Sequence, residues 1–271
     1  MAKIKIGIAG CLGRMGQELI KQVLKEKNFL FIGGFEHKSH PKIGKKFNEV
    51  SEINSNNIIS NNATSIFKIA DVVIDFTTPQ STLKNAKMAS TTKTALVIGT
   101  TGINNSQKNK IKIFSKKTPI LMSSNMSVGV NLLFNLVKQA AASLGQSEYD
   151  IEITETHHKY KVDAPSGTAL SLGEYAAQGR KTKLDKVKVL DRTKNLKKRK
   201  EGEIGFSVLR GGEIAGEHTV SFISKSDRVD LIHKANDRSI FVSGAIQAAI
   251  FIAKKKSGFF NIENLVQSNF K

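Results

Sequence analysis

The chain opens on an alternation, Ile4, Ile6 and Ile8, that breaks directly into Gly10-Cys11-Leu12-Gly13-Arg14-Met15-Gly16. Period-two alternation puts the three isoleucines on one face of a strand. Beyond the glycines, Met15, Leu19, Ile20, Val23 and Leu24 recur at helical spacing. A strand, a glycine turn and a helix in that order form the phosphate-binding start of a dinucleotide fold. Gly10 allows the tight turn, Gly13 lets backbone approach a pyrophosphate, and Gly16 lets the helix pack closely on the strand. Leu12 makes the spacing G-x-x-G-x-x-G in place of G-x-G-x-x-G. Taken alone, such a turn fits any α/β protein.

The segments that follow repeat the theme. Phe29–Phe35 reads as a second buried strand, with Glu36 at its end, about 20 residues after Gly16, where a ribose-binding acid belongs. Residues 37–64 are rich in Asn and Lys and are expected to be irregular surface. Val72–Phe76, Leu96–Ile98 and Pro119–Met122 are short apolar runs, each ending in small polar residues. Helical stretches near 80–90 and 105–117 separate them. This is the doubly wound pattern, in which ligands lie at the carboxyl ends of the strands. The turn residues Gly10 to Met15, together with Glu36 and His37, are therefore candidate cofactor-binding positions.

The second half has a different rhythm. Val130, Leu133, Phe134, Val137, Ala140, Ala141 and Leu144 mark a long amphipathic helix. Ile151 and Ile153 alternate in a strand that runs into Glu155-Thr156-His157-His158-Lys159-Tyr160-Lys161-Val162-Asp163-Ala164-Pro165-Ser166-Gly167-Thr168. A helix near 168–178 and strands at 187–190, 204–210, 217–224 and 228–234 are expected, then a helix over Ser239–Ala253. The strands suggest an open sheet, mixed and mostly antiparallel. The basic run from Lys194 to Lys200 is expected to be a solvated loop.

The loop after Glu155 gathers chemistry. Two imidazoles supply proton transfer near neutral pH, and a helix start offers free N–H groups to a carboxylate. His157 and His158 are adjacent, so in extended chain they point to opposite sides. Surface loops with histidines and lysines are common, so composition alone leaves this one open. The pattern, however, resembles the signature of the 4-hydroxy-tetrahydrodipicolinate reductase family, long called dihydrodipicolinate reductase. That signature is Glu-x-His-His-x-x-Lys-x-Asp-x-Pro-Ser-Gly-Thr-Ala, and every defined position is present from Glu155 to Ala169. Gly13-Arg14-Met15-Gly16, Asp75-Phe76-Thr77, Gly99-Thr100-Thr101-Gly102, Asn125-Met126-Ser127-Val128-Gly129-Val130-Asn131 and the segment from Gly211 to Thr219 are also similar to that family, so its motifs cover most of the chain.

The resemblance implies a Rossmann-like doubly wound parallel sheet plus a second α+β domain. It implies a dinucleotide-binding domain of residues 1–128 and 239–271, and a substrate-binding and oligomerisation domain of residues 129–238. The implied activity is reduction of 4-hydroxy-tetrahydrodipicolinate to tetrahydrodipicolinate with loss of water, in lysine and diaminopimelate synthesis. NADH or NADPH is the implied cofactor. Gly99, Thr100 and Thr101, with Ser123, Ser124, Asn125 and Met126, would touch its nicotinamide side. His157 would donate or accept a proton, and Lys161 is also assigned as a donor. An ordinary lysine has a pKa of about 10.4 and is a fixed cation near neutral pH, so both roles stay open for Lys161. His158, Gly167 and Thr168 would hold a substrate carboxylate. The family is usually homotetrameric. Where members that use both cofactors carry arginine directly after the ribose acid, this chain has His37 and then Lys38. NADH is therefore expected to serve at least as well as NADPH, since histidine lacks the planar fork that suits a phosphate.

Composition narrows the alternatives. The net charge is +19, with 42 basic and 23 acidic residues. Its lysines are spread along the chain, which points to a field that attracts anionic ligands and away from a nucleic-acid site. A binding module without turnover remains the contrasting reading, and another reductase of small keto or imino acids the nearer one. Cys11 is the lone cysteine, which excludes an intrachain disulfide and a cysteine-based metal site and suits the cytoplasm. With no helical His-x-x-x-His pair either, no metal is expected. No signal-peptide pattern and no apolar run of about 18 residues is present, so neither export nor a membrane span is expected.

Overall fold

The computed structural model describes residues 2–193 and 197–268. The chain divides into two compact units. The first runs to Ser127 and resumes at Ser239; the second is Val128–Arg238.

In the first unit the chain runs through β1 (Ile4–Ala9), α1 (Arg14–Lys25), β2 (Phe29–Phe35), α2 (Phe47–Val50), β3 (Ile59–Ser60), α3 (Ala63–Ile69), β4 (Val72–Asp75), α4 (Pro79–Thr92), β5 (Ala95–Ile98), α5 (Asn105–Phe114) and β6 (Pro119–Met122). β4 and β5 are buried at every position, as strands covered on both faces must be. Their helices are started by side chains: Thr78 accepts the Ser81 N–H ahead of α4, with Pro79 in the first turn, and Asn104 caps α5 through the Gln107 N–H.

The 37–64 stretch departs from the expected irregular surface. β3 pairs with β2 in parallel, and Phe47, Ile53 and Ile59 are fully buried or nearly so. Apolar residues spaced singly among asparagines carry no visible period. Each such side chain nonetheless contributes roughly 1.5–3 kcal/mol on burial, enough to draw the segment onto the sheet edge.

The second unit comprises α6 (Val128–Ser143), β7 (Asp150–His157), α7 (Gly167–Gly179), α8 (Leu184–Val187), β8 (Lys188–Val189), β9 (Ile204–Arg210), β10 (Gly216–Ile223) and β11 (Arg228–Ala235). Its five strands lie in the order β11-β10-β7-β9-β8. β11–β10 and β10–β7 are antiparallel, whereas β7–β9 and β9–β8 are parallel, so the sheet is mixed and evenly divided. Ile151, Ile153, Phe206, Val220 and Phe222 form one core with Val130, Phe134 and Val137 of α6 and Leu172 and Ala176 of α7. Phe134 stacks on Tyr175 at 4.9 Å. The face turned away from the helices carries Leu209 and Ile232, both exposed.

Residues 194–196 of the basic run lie outside the described residues. The rest is not simply solvated. Lys197, Lys198 and Lys200 are exposed, but Arg199 is half-buried and pairs with Asp150 at 2.8 Å and with Glu152. Arg192 also reaches Glu152, at 2.9 Å.

The chain then returns to the first unit with α9 (Ser239–Ala253), β12 (Gly258–Phe260) and α10 (Ile262–Ser268). The completed seven-stranded sheet has the order β12-β6-β5-β4-β1-β2-β3, with every pairing parallel. Strand order reverses at β1 and β4, the switch point where ligands of such sheets bind. Among the described residues no helix is long and apolar enough to cross a membrane.

Candidate active site

One candidate site, in the first unit, grows from the turn after β1. Gly10 has φ +65, a left-handed conformation that favours glycine. A Cβ on Gly16 would lie 2.1 Å from the Gly10 carbonyl oxygen. Only glycine therefore lets α1 start this close to the turn, which leaves the turn backbone as the lining of a groove. That groove, of about 820 Å³, is lined by Gly10, Leu12, Gly13, Glu36 and His37, with Lys38 and Lys84 among its other residues. One Glu36 carboxylate oxygen accepts the Leu12 N–H at 2.8 Å. The acid thus fixes the turn through one of its two oxygens. His37 Nδ1 lies 2.7 Å from the Ser39 hydroxyl.

Other expected positions sit elsewhere. Arg14 and Met15 begin α1, the first exposed and the second half-buried. Cys11 is fully buried. Burial, with Glu36 nearby, pushes its thiol well above the usual range, so its side chain packs and does not react. Thr100 is buried too, and its hydroxyl belongs to an internal network. It accepts from the Thr77 N–H at 3.0 Å and from the Thr82 hydroxyl at 2.8 Å. Asp75, fully buried, accepts from Thr77 and from Asn85 at 2.9 Å. Burial raises its pKa, and those bonds partly offset the rise. Gly99 is half-buried beside it, and Thr101 is exposed. At the end of β6, the Ser123 hydroxyl donates to the Asn125 carbonyl at 2.7 Å, and Ser124 is exposed. Met126 is buried, and its carbonyl packs against Gly244 of α9.

A second candidate site, in the second unit, grows from the end of β7. Burial alternates strictly along this strand, so Glu155 and His157 share the helix-covered face. The Glu155 carboxylate takes His157 Nδ1 at 2.5 Å and the Ser166 N–H at 3.0 Å. Arg210, at the end of β9, grips it with two bonds of 2.9 and 2.8 Å. Burial alone would raise the Glu155 pKa; the bonds from Arg210, His157 and Ser166 outweigh it and hold the carboxyl below its usual range. Burial lowers the pKa of His157, against the pull of Glu155.

His218 of β10 completes the cluster. Its Nε2 lies 3.1 Å from the Ser166 hydroxyl, and its ring meets His157 edge-on at 5.1 Å. Burial first, then neighbouring His157, brings its pKa down to about 4. At Gly216, φ is +154 and a Cβ would lie 2.9 Å from His157 Nε2.

The loop itself is held by backbone. His158 N–H donates to the Ile214 carbonyl at 2.8 Å, and Gly211 N–H to the His157 carbonyl at 3.0 Å. Lys161 Nζ pairs with Asp163 at 2.7 Å. That pair first, and the Gly167 backbone amide as well, hold the Asp163 carboxyl low. Ala164–Pro165 is cis. Ser166 then caps α7 by accepting the Ala169 N–H at 3.1 Å. Open space stands over Gly167, so the first turn of α7, with Gly167 and Thr168, faces outward. Within this unit the fold gathers Glu155, His157, Lys161, Ser166, His218 and Arg210, and sequence pattern alone does not mark Arg210. Its only sequence signal is a basic residue closing an apolar strand just before Gly211-Gly212. Among the described residues no cluster of three or more His, Cys, Asp or Glu side chains can hold a metal ion.

Comparison with known proteins decides what this constellation belongs to. Residues 4–126 match the model of the dihydrodipicolinate reductase N-terminus, and residues 129–266 that of its C-terminus. The chain belongs to the dihydrodipicolinate reductase family. It is 41% identical to a 4-hydroxy-tetrahydrodipicolinate reductase of Polynucleobacter necessarius subsp. necessarius (strain STIR1), over 97% of this chain and 98% of that one. It is 43% identical to one of Chelativorans sp. (strain BNC1), over 94% and 92%. A solved dipicolinate-bound dihydrodipicolinate reductase from Paenisporosarcina sp. TG-14 superposes with a TM-score of 0.79 at 25% identity, covering 97% of this chain and 99% of that one. Within this family a Rossmann-type first half takes a nicotinamide cofactor, and the groove fits one: it is lined by the backbone of a glycine turn that Gly16 lets pack tightly against α1, with an acid that has an oxygen to spare.

Proposed function

We propose that the chain reduces 4-hydroxy-tetrahydrodipicolinate to tetrahydrodipicolinate with release of water, a step of lysine and diaminopimelate synthesis. The observation that carries this reading is the His157 loop: an imidazole on a buried carboxylate that also accepts the N–H of Ser166, the residue that caps the start of α7. A nicotinamide cofactor in the groove supplies a hydride. Replacing a ring hydroxyl by hydrogen then needs one proton for the departing water, and His157 is the group that moves it. Lys161 stands beside it as a cation or second donor. His158, Gly167 and Thr168 hold a carboxylate of the substrate, which must share or displace Asp163 at Lys161.

The first unit is the dinucleotide-binding domain. Gly10 to Met15 form its phosphate turn, Glu36 takes the ribose hydroxyls, and His37 flanks them. Gly99 to Thr101 and Ser123 to Met126 line the nicotinamide side, Thr100 and Met126 through backbone, since their side chains are internal. Glu36 would repel a 2′-phosphate, and His37 is engaged with Ser39. NADH therefore serves at least as well as NADPH. The second unit binds substrate and makes a homotetramer, supported by the exposed Leu209 and Ile232 on its helix-free face. Light scattering on the purified protein checks that assembly. The activity is tested by following NADH oxidation with substrate generated from pyruvate and aspartate semialdehyde. Oxidation that depends on both precursors is expected; none at any cofactor concentration would refute the reading.

A further inference from the structure

We propose that Glu155 is a positioning residue that locks His157 with its Nδ1 protonated and its Nε2 presented for proton transfer, and that ties this imidazole to the carboxylate-binding start of α7. The proposal rests on the reading of His157 as the proton-transfer residue.

A carboxylate only accepts hydrogen bonds. With Glu155 2.5 Å from Nδ1, the proton of neutral His157 belongs on Nδ1, which is not the tautomer that free histidine favours. Nε2 then becomes the atom that gains and loses the working proton, as in other carboxylate-oriented imidazoles. The Glu155 oxygens hold four bonds: one from His157, one from the Ser166 N–H and two from Arg210. Those four fill the lone-pair sites of the group, so it cannot rotate without breaking several at once. The Ser166 bond carries the same constraint to the first turn of α7, where Gly167 and Thr168 follow. One side chain, 1% exposed, thereby sets both the proton site and the anion site. Arg210 offsets a charge that would otherwise be buried alone.

Four groups face His157 from the elements around it: Glu155 on its own strand, Arg210 from β9, His218 from β10 and Lys161 from the loop. His218 stays neutral above about pH 4. Glu155 is thus the one anion among them. Replacing it by a neutral amide leaves burial and two cations, all of which disfavour imidazolium, so His157 loses its proton at lower pH.

The first test uses the unaltered protein. Nitrogen-15 NMR of the His157 ring at high pH should show the Nδ1–H tautomer; the Nε2–H tautomer would overturn the proposal whatever the variants do. The second test compares Glu155→Gln, Glu155→Asp and His157→Gln by the pH profile of kcat and by NADH titration. For Glu155→Gln, kcat at neutral pH should fall about 10²-fold, its alkaline limb should move about one pH unit toward acid, and the Kd for NADH should hold. Glu155→Asp, which keeps the charge, should move the limb back. An unmoved limb with His157→Gln inactive would refute the positioning role alone. Full activity in His157→Gln would instead refute the proton-transfer reading beneath it.

Discussion

The two units build their candidate sites from opposite materials. The first uses backbone. Its turn is shaped by missing side chains at Gly10 and Gly16, and the polar groups behind it, Asp75, Thr77, Thr82, Asn85 and Thr100, are tied to one another. The second uses charged side chains locked by other charged side chains, with Glu155 held by Arg210 and His157. A carrier with its own reactive atom needs only to be held in place. Proton transfer needs a titratable group at a set position and a set pKa. The difference teaches where each site is vulnerable: the first to added volume, the second to lost charge.

The largest expected effect sharpens that division. Lys161→Ala should lower turnover by about 10²–10⁴-fold while leaving the Kd for NADH unchanged. Steady-state kinetics with a cofactor titration checks it. Near-wild-type turnover would remove Lys161 from the chemistry.

Acid should loosen the charged unit first. His218 has a folded pKa of about 4 and an unfolded one near 6.5. Between these values the unfolded chain binds a proton that the native one does not, so stability falls as pH drops through this window, by up to roughly 3 kcal/mol. His157 and His233 are shifted downward as well and add to it. Glu155, depressed in the fold, extends the loss below the unfolded glutamate pKa. All three tyrosines, Tyr149, Tyr160 and Tyr175, lie in the second unit, and the chain has no tryptophan. Tyrosine fluorescence during urea unfolding at pH 7 and pH 4.5 therefore reports this unit alone. His218→Asn should flatten the dependence.

Added volume tests the first unit. In Gly16→Ala the new methyl meets the Gly10 carbonyl oxygen, and overpacking of this kind costs about 1–3 kcal/mol. NADH affinity should fall, and the tyrosine-reported transition should stay in place. The smallest effect is expected from Glu36→Gln, which weakens charge-assisted bonds to ribose. NADH affinity should drop about tenfold and NADPH affinity less, so the ratio of kcat/KM for the two cofactors shifts toward NADPH.

The same contrast explains what could be read in the sequence. Alternating isoleucines, spaced glycines and apolar runs closed by small polar residues report backbone geometry directly, so the doubly wound sheet and its glycine turn are legible. The His157 loop was legible by residue identity and order. Arg210 was not, because an arginine closing a strand looks like any exposed cation until β9 is laid beside β7 in register. Nor was the role of His218, which depends on the antiparallel pairing that sets it opposite Glu155. Glu155 and His157 stood two apart in a strand all along, a spacing that puts them on one face. Phe47 and Ile53 are not legible as core, because isolated apolar residues in polar surroundings carry no period.

The central claim is that a hydride from the nicotinamide cofactor replaces the ring hydroxyl of the substrate. Reduction with cofactor deuterated at the transferring carbon of its nicotinamide, followed by mass and NMR analysis of the product, tests this most directly. The account predicts one deuterium per product molecule, on the ring carbon that bore the hydroxyl, with one cofactor oxidised for each. Product without deuterium, or deuterium at another ring carbon, would contradict it.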